Sequence, residues 1–210
     1  MSIAVIDYGM GNLRSVSKAL EQVAGNVPVV VTHDPAVVAK AERVVFPGQG
    51  AMPDCTRELA DRNLWPAVLD AAKTKPFLGI CIGLQMLFDH SEEGNVGGLG
   101  VFAGNVCHFP EEKMFAADGH RLKVPHMGWN HVQQAQHPLW ADINQGSRFY
   151  FVHSYCVQPS DSSVVMGTTD YGISFTCAVG RDNIFAVQFH PEKSAHDGLQ
   201  FLKNFVEWQP

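Results

Sequence analysis

The first half of the chain alternates short, unbroken apolar runs with amphipathic stretches, and that alternation leaves few folds open. Ser2 to Asp7 (SIAVID), Val29 to Val31 behind Pro28, Arg43 to Phe46 (RVVF) and a run led in by Lys75 to Ile80 read as strands without a polar face. Between them, Asn12 to Val23 carries Leu13, Val16, Ala19 and Leu20 at helical spacing. Cys55 to Lys73 is expected to be mostly helical despite Pro66, and a further helix is expected from Ile82 to about Asp89. Uniformly apolar strands separated by helices mean βαβ units, whose strands are covered on both faces. The expected class is therefore α/β, with an open, mostly parallel sheet flanked by helices.

The second half reads differently. Val101, Phe102, Val106 to Phe109, Asn130 to Val132, Phe149 to Val152, Val164 to Met166, Ser174 to Val179 and Ile184 to Val187 are short strand candidates separated by Gly, Pro or Asp clusters. Such punctuation favours antiparallel strands added to one side of the sheet. Gly198 to Trp208 is expected to close the chain as a helix. No repeat or linker is visible, so residues 1–210 are expected to form one domain.

Composition narrows the function classes. Lys and Arg number 15 against 21 Asp and Glu, a net charge of -6, which argues against an electrostatic nucleic-acid binder. The longest largely apolar stretch, Phe77 to Phe88, is broken by Gly79, Gly83 and Gln85 and falls short of a membrane span. Charged residues make up only 17% of the chain, which suits a covered partner face or a large core. Met1 to Tyr8 lacks the basic start and small-residue cleavage site of a signal peptide. The cysteines are Cys55, Cys81, Cys107, Cys156 and Cys177, an odd and widely spaced set with no Cys-x-x-Cys pair. Neither a disulfide framework nor a zinc knuckle is expected, and a reducing cytoplasm is the expected location.

Three segments could carry chemistry. Gly79-Ile80-Cys81-Ile82-Gly83-Leu84-Gln85 lies between a strand and a helix, where flanking glycines permit a sharp turn that pushes one side chain out at the sheet's carboxyl edge. A thiol there sits at a helix start, which favours the thiolate, and the N–H of Ile82 would be free to hold an oxyanion. A buried cysteine in a glycine-rich turn would have the same local sequence, so the heptapeptide alone leaves both readings open. Phe189-His190-Pro191-Glu192 follows the strand Ile184 to Val187. In an extended segment His190 and Glu192 share a face, which would let the carboxylate orient a basic imidazole; an ordinary solvated loop is the alternative. Pro47-Gly48-Gln49-Gly50-Ala51 after the third strand could donate backbone N–H groups to an oxyanion or a phosphate, or be only a tight turn. It lacks the Gly-Lys-Ser/Thr ending of a P-loop. Asp7-Tyr8-Gly9-Met10-Gly11-Asn12 likewise falls short of a dinucleotide fingerprint, with Arg14 where a glycine is needed. The ten histidines, His126, His131, His153 and His196 among them, show no metal spacing and read as scattered loop or core residues.

Gly79-x-Cys81-x-Gly83-x-Gln85, Pro47-Gly48-x-Gly50 and His190-Pro191-Glu192 together resemble the class I, or triad, glutamine amidotransferases. Within that family, four further segments are similar to members that serve as glutaminase subunits in histidine biosynthesis. These are Asp7-Tyr8-Gly9-x-Gly11-Asn12, Pro125-His126-Met127-Gly128-Trp129-Asn130, Phe149 to Tyr155, and Lys193-Ser194. The resemblance runs from Asp7 to Ser194 and departs at Gln49, where many relatives carry an apolar residue. It implies a Cys81–His190–Glu192 triad, an oxyanion held by the N–H groups of Ile82 and of Gln49 or Gly50, and glutamine bound by Gly50, Gln85, Ser154 and Tyr155. It implies a separate (β/α)8-barrel cyclase subunit that receives the ammonia in a heterodimer, faced by Asn12, Trp129, Tyr150 and Lys193. No cofactor and no metal are expected. Ammonia made without an acceptor would be wasted, so the oxyanion loop is expected to form only with the partner. Service to a different synthase, a partner-free cysteine hydrolase and a non-catalytic scaffold are the competing readings; the intact triad weighs against the last.

Overall fold

The structure is a computed structural model that describes residues 1–116 and 118–210. Its strands are β1 (Ile3–Ile6), β2 (Val29–Thr32), β3 (Arg43–Gly48), β4 (Phe77–Cys81), β5 (Phe88–Ser91), β6 (Val96–Gly97), β7 (Phe102–His108), β8 (His126–His131), β9 (Gln133–Gln134), β10 (Arg148–His153), β11 (Tyr155–Pro159), β12 (Val165–Tyr171), β13 (Ile173–Arg181) and β14 (Ile184–Val187). The helices are α1 (Leu13–Val23), α2 (Pro35–Lys40), α3 (Met52–Asp61), α4 (Trp65–Thr74), α5 (Ile82–Gln85) and α6 (Ala195–Glu207). Twelve strands form one mixed sheet, whose main path is β2-β1-β3-β4-β14-β13-β11-β7-β5-β6, while β10 and β8 make a separate pair.

From β2 to β14 neighbouring strands run parallel. Beyond β14 the sheet continues through antiparallel β13, β11 and β7. This mixed sheet, parallel from β2 to β14 and flanked by helices, is the α/β arrangement that the sequence suggests. Every residue of β1, β3, β4 and β14 is buried, as strands covered on both faces must be. α1 packs on α6, and α2 on α4. Asn12 starts α1 by accepting from the Ser15 N–H at 3.4 Å, and Asp34 starts α2 by accepting from Ala36 at 2.8 Å.

Several boundaries differ from the sequence expectation. The helical run from Cys55 breaks in two because Asn63 turns into the left-handed region at φ 56°. Pro66 is then harmless in the first turn of α4, where no intrahelical N–H is needed. The helix expected to reach Asp89 stops at Gln85. The Met86 carbonyl is taken by the Leu99 N–H at 2.7 Å, and that of Leu87 by Val101 and Phe102 at 2.8 and 2.9 Å. Phe88 is thereby drawn into β5, beside Phe102 of β7. The candidates around Val101 and Val106 are one strand, β7; α2 and β11 had no place in the sequence reading; and α6 begins at Ala195 rather than Gly198.

Candidate active site

The carboxyl ends of β3, β4 and β14 lie side by side, with Gly48 opposite Cys81 and Val187 opposite Ile80. Cys81 occupies the corner between β4 and α5 at φ 56°, ψ −110°. A non-glycine residue held there costs about 1–3 kcal/mol and persists only where its surroundings enforce it. Glycines do the enforcing. A Cβ on Gly83 would overlap the Phe46 carbonyl oxygen, and one on Gly48 would come within 2.8 Å of the Ile82 Cβ. The absence of those atoms lets α5 sit directly on β3 and fixes the corner. α5 is a single turn of four residues, too short for the helix-dipole effect expected from sequence.

His190 follows β14 by three residues. Its N–H donates to the Tyr150 carbonyl at 2.9 Å. The Ser194 hydroxyl donates to the His190 carbonyl at 2.6 Å and accepts from the Tyr150 N–H at 3.0 Å, so β10 and the histidine turn are latched together. The pairing with Glu192 is made by a 3-10 turn, Pro191–Lys193, and not by the extended segment expected. That turn wraps the carboxylate back until Oε1 lies 2.8 Å from His190 Nδ1, with both side chains almost fully buried. Nδ1 thus donates to the carboxylate. Nε2 makes no hydrogen bond and is left for a reacting proton. Burial is the largest single influence and pushes the imidazolium pKa down; Cys81 and then Glu192 together outweigh it and raise the pKa to about 10.

Cys81 and His190 line one cavity of about 250 Å³, which suits a small metabolite rather than a polymer. Gln49, Gly50, Ile82, Gln85, Ser154 and Tyr155 line it as well, while Glu192 stands behind His190. Gly50 is at φ 114°, a conformation only glycine adopts easily. Gln85 is buried; its Nε2 donates to the Tyr155 carbonyl at 3.3 Å and to Gln188 Oε1 at 3.0 Å, and its Oε1 is unpartnered.

The sequence did not mark Gln188 or Glu93 as part of the site, and it left His153, which also lines the cavity, among the scattered histidines. Gln188, fully buried, donates from Nε2 toward Cys81 Sγ at 3.7 Å. It stands two residues before His190 in an otherwise apolar run, a spacing that shares a face and could have flagged it. Glu93 also lines the cavity, with Oε2 accepting from the Met52 N–H at 2.8 Å. It comes from the segment after β5, and no local motif marks it.

Of the residues expected to face a partner, Trp129, Tyr150 and Lys193 come together. The Trp129 ring meets Tyr150 edge-on at 6.3 Å, and the Lys193 ammonium lies 5.7 Å from the centre of the Tyr150 ring. Asn12 is not part of that stack; it caps α1. Among the described residues, no group of three His, Cys, Asp or Glu could hold a metal ion, and no helix is long and apolar enough to cross a membrane.

The family model for glutamine amidotransferase class-I matches residues 4–208. The chain belongs to that family. Among its relatives, the imidazole glycerol phosphate synthase subunit HisH of Dechloromonas aromatica is 75% identical over 209 residues, covering 100% of this chain and 97% of that protein. The subunit of the same name from Aromatoleum aromaticum is 66% identical, covering 99% of each. Solved structures agree in fold at much lower identity. A glutamine amidotransferase superposes with a TM-score of 0.70 at 15% identity over 99% of this chain and 98% of its own. The glutaminase domain of Trypanosoma brucei CTPS gives 0.64 at 16% identity, over 100% of this chain and 95% of that one. Membership of the amidotransferase family gives the chain a reaction class, hydrolysis of the glutamine side-chain amide.

Proposed function

We propose that this amidotransferase chain is the glutaminase subunit of an imidazole glycerol phosphate synthase, with Cys81, His190 and Glu192 as its catalytic triad. The observation that carries the reading is Cys81 at a strained positive-φ corner, in one cavity with a histidine whose far nitrogen is fixed by a buried carboxylate. Full-length similarity to subunits of that name supports the choice of synthase.

In the resting site His190 is charged and holds a proton on Nε2. Cys81 Sγ attacks the side-chain carbonyl carbon of glutamine, and the N–H groups of Ile82 and of Gln49 or Gly50 take up the oxyanion. One such donor is worth about 3 kcal/mol of barrier in related chemistry. As the tetrahedral adduct collapses, His190 Nε2 gives its proton to the departing nitrogen, which leaves as ammonia, and a glutamyl thioester remains. Nε2 then takes a proton from water as its oxygen attacks the thioester, and glutamate leaves with the thiolate restored. Gly50, Gln85, Ser154 and Tyr155 hold the substrate, and the Glu93 carboxylate supplies a partner for its ammonium group.

The ammonia passes to a separate (β/α)8-barrel cyclase subunit that makes imidazole glycerol phosphate in histidine biosynthesis. Met127 and Trp129 support a docking face on β8: both are large, apolar and exposed, at 62% and 43%. Tyr150 and Lys193 complete that face, and Asn12, at the start of α1, supplies a further contact to the partner. The chain works in the cytoplasm as one domain, and the oxyanion loop takes its active form when the cyclase is bound.

The test is covalent trapping. A chloroketone analogue of glutamine should add to the chain once, with loss of chloride, on the peptide containing Cys81. Excess glutamine should protect, and Cys81→Ala should abolish the adduct. Labelling that glutamine does not slow, or that falls on another cysteine, would refute the assignment.

A further inference from the structure

Two buried histidines take no part in the mechanism above. His126 on β8 and His153 on β10 face each other in register, with His126 Nδ1 3.1 Å from His153 Nε2. One of these nitrogens must donate and the other accept, and the two ends of the line decide which. At one end, Asn130 Oδ1 accepts from the His131 N–H at 2.8 Å, which turns its Nδ2 toward the Asp170 carbonyl at 2.9 Å and His126 Nε2 at 3.3 Å. His126 Nε2 is therefore an acceptor, and its hydrogen is on Nδ1. At the other end, His153 Nδ1 lies 2.7 Å from the Tyr155 carbonyl, so Nδ1 donates and Nε2 accepts. The two assignments start from opposite ends and meet with one donor and one acceptor.

The line ends in the active site. The Tyr155 carbonyl also accepts from Gln85 Nε2, which bonds Gln188 Oε1, and Gln188 reaches Cys81 Sγ. His153 itself lines the catalytic cavity. The His126 ring is held between Tyr171, with centroids 4.1 Å apart, and Phe151, at 4.9 Å, so it cannot turn to another partner without breaking both stacks.

We propose that His126 and His153 are positioning residues for glutamine: two neutral rings, both locked as Nδ1–H tautomers, set the Tyr155 carbonyl and through it the Gln85 amide on the wall of the cavity. This rests on the reading that the cavity takes glutamine. Burial keeps both rings neutral, pushing His126 down to about 4 and His153, despite the Tyr155 carbonyl, to about 3.

The first readout needs no variant. Nitrogen-15 signals of the imidazoles in the full chain should show Nδ1 protonated and Nε2 bare on both residues, and a protonated Nε2 on either ring overturns the inference. The second readout uses His126→Phe, which keeps the stacked ring and deletes the donor. Cys81 labelling by the chloroketone analogue of glutamine should then need a roughly five- to tenfold higher concentration for half-saturation, the loss of one hydrogen bond, with the maximal rate within about twofold. His126→Asn, which restores a donor at the Nδ1 position, should recover most of that loss. An unchanged half-saturation in His126→Phe, or an equal loss in both variants, overturns the inference and leaves a packing role. Failure of the unaltered chain to be labelled would overturn the glutaminase reading and this inference together, a result distinct from the other two. Should His126→Phe not fold, the ring signals of the unaltered chain still decide the tautomers.

Discussion

Replacing Glu192 by Gln tests the triad without disturbing its shape. The carboxylate Oε1 lies 2.8 Å from His190 Nδ1, and an amide oxygen can accept from the same N–H. What goes is the charge. A hydrogen bond to a charged partner contributes about 1.5–3 kcal/mol, against roughly 1 for a neutral pair. The difference, about 0.5–2 kcal/mol, lowers the His190 pKa by about 0.4–1.5 pH units from its raised position near 10, because each pH unit corresponds to about 1.4 kcal/mol. The same loss in the transition state lowers kcat/KM roughly 2- to 30-fold. The assay is the pH dependence of Cys81 labelling and of glutamate release in Glu192→Gln and the unaltered chain. A folded histidine whose pKa is raised stays charged until pH climbs through that value, so the alkaline limb of the profile should move to lower pH in the variant. A limb that stays in place, with activity within about twofold of the unaltered chain, would refute the orienting role of Glu192.

Three further outcomes follow from the same geometry. Gly83→Ala forces a methyl into the Phe46 carbonyl, an overpacking cost of about 3 kcal/mol, so the melting temperature should drop roughly 6–12 °C; a drop under 2 °C would mean that the corner relaxes freely. His126 and His153 have lowered pKa values in the fold, so the unfolded chain binds more protons below about 6.5 and stability should decline between there and about pH 4. Each ring adds at most about 1.4 kcal/mol per pH unit to that slope, and denaturant titrations should show a flatter decline in His126→Phe. Trp129→Ala should weaken calorimetric binding to the cyclase subunit by about 2 kcal/mol or more while leaving Cys81 labelling unchanged, and unaltered binding would move the docking face elsewhere.

Local chemistry made much of this legible. The Gly79-to-Gln85 corner, the His190-Pro191-Glu192 turn and the apolar parallel strands are each specified within a few residues, so their spacing suggested the fold class and the Cys81 and His190 pairing, while Ser154 and Tyr155 entered only through the family resemblance; together eight of the named residues line one cavity. What escaped depends on distant chain. Met86-Leu87-Phe88 is apolar enough for a helix or a buried strand, and only capture of its carbonyls by Leu99, Val101 and Phe102 decides for β5. Gln188 and Glu93 acquire a role only once β14 and the segment after β5 reach the cavity. His126 and His153 read as scattered histidines because the register of β8 on β10, invisible in sequence, is what sets them face to face.

Glutamate release from glutamine by the purified chain tests the central claim most directly, measured alone, with the barrel cyclase subunit and its ribonucleotide substrate, and with Cys81→Ala in place of the unaltered chain. Release is expected to be slow alone, to rise in the assembled mixture and to vanish with Cys81→Ala. No release in any mixture, beside a cyclase that works on free ammonia, or release that survives Cys81→Ala, would contradict a Cys81 glutaminase coupled to that partner.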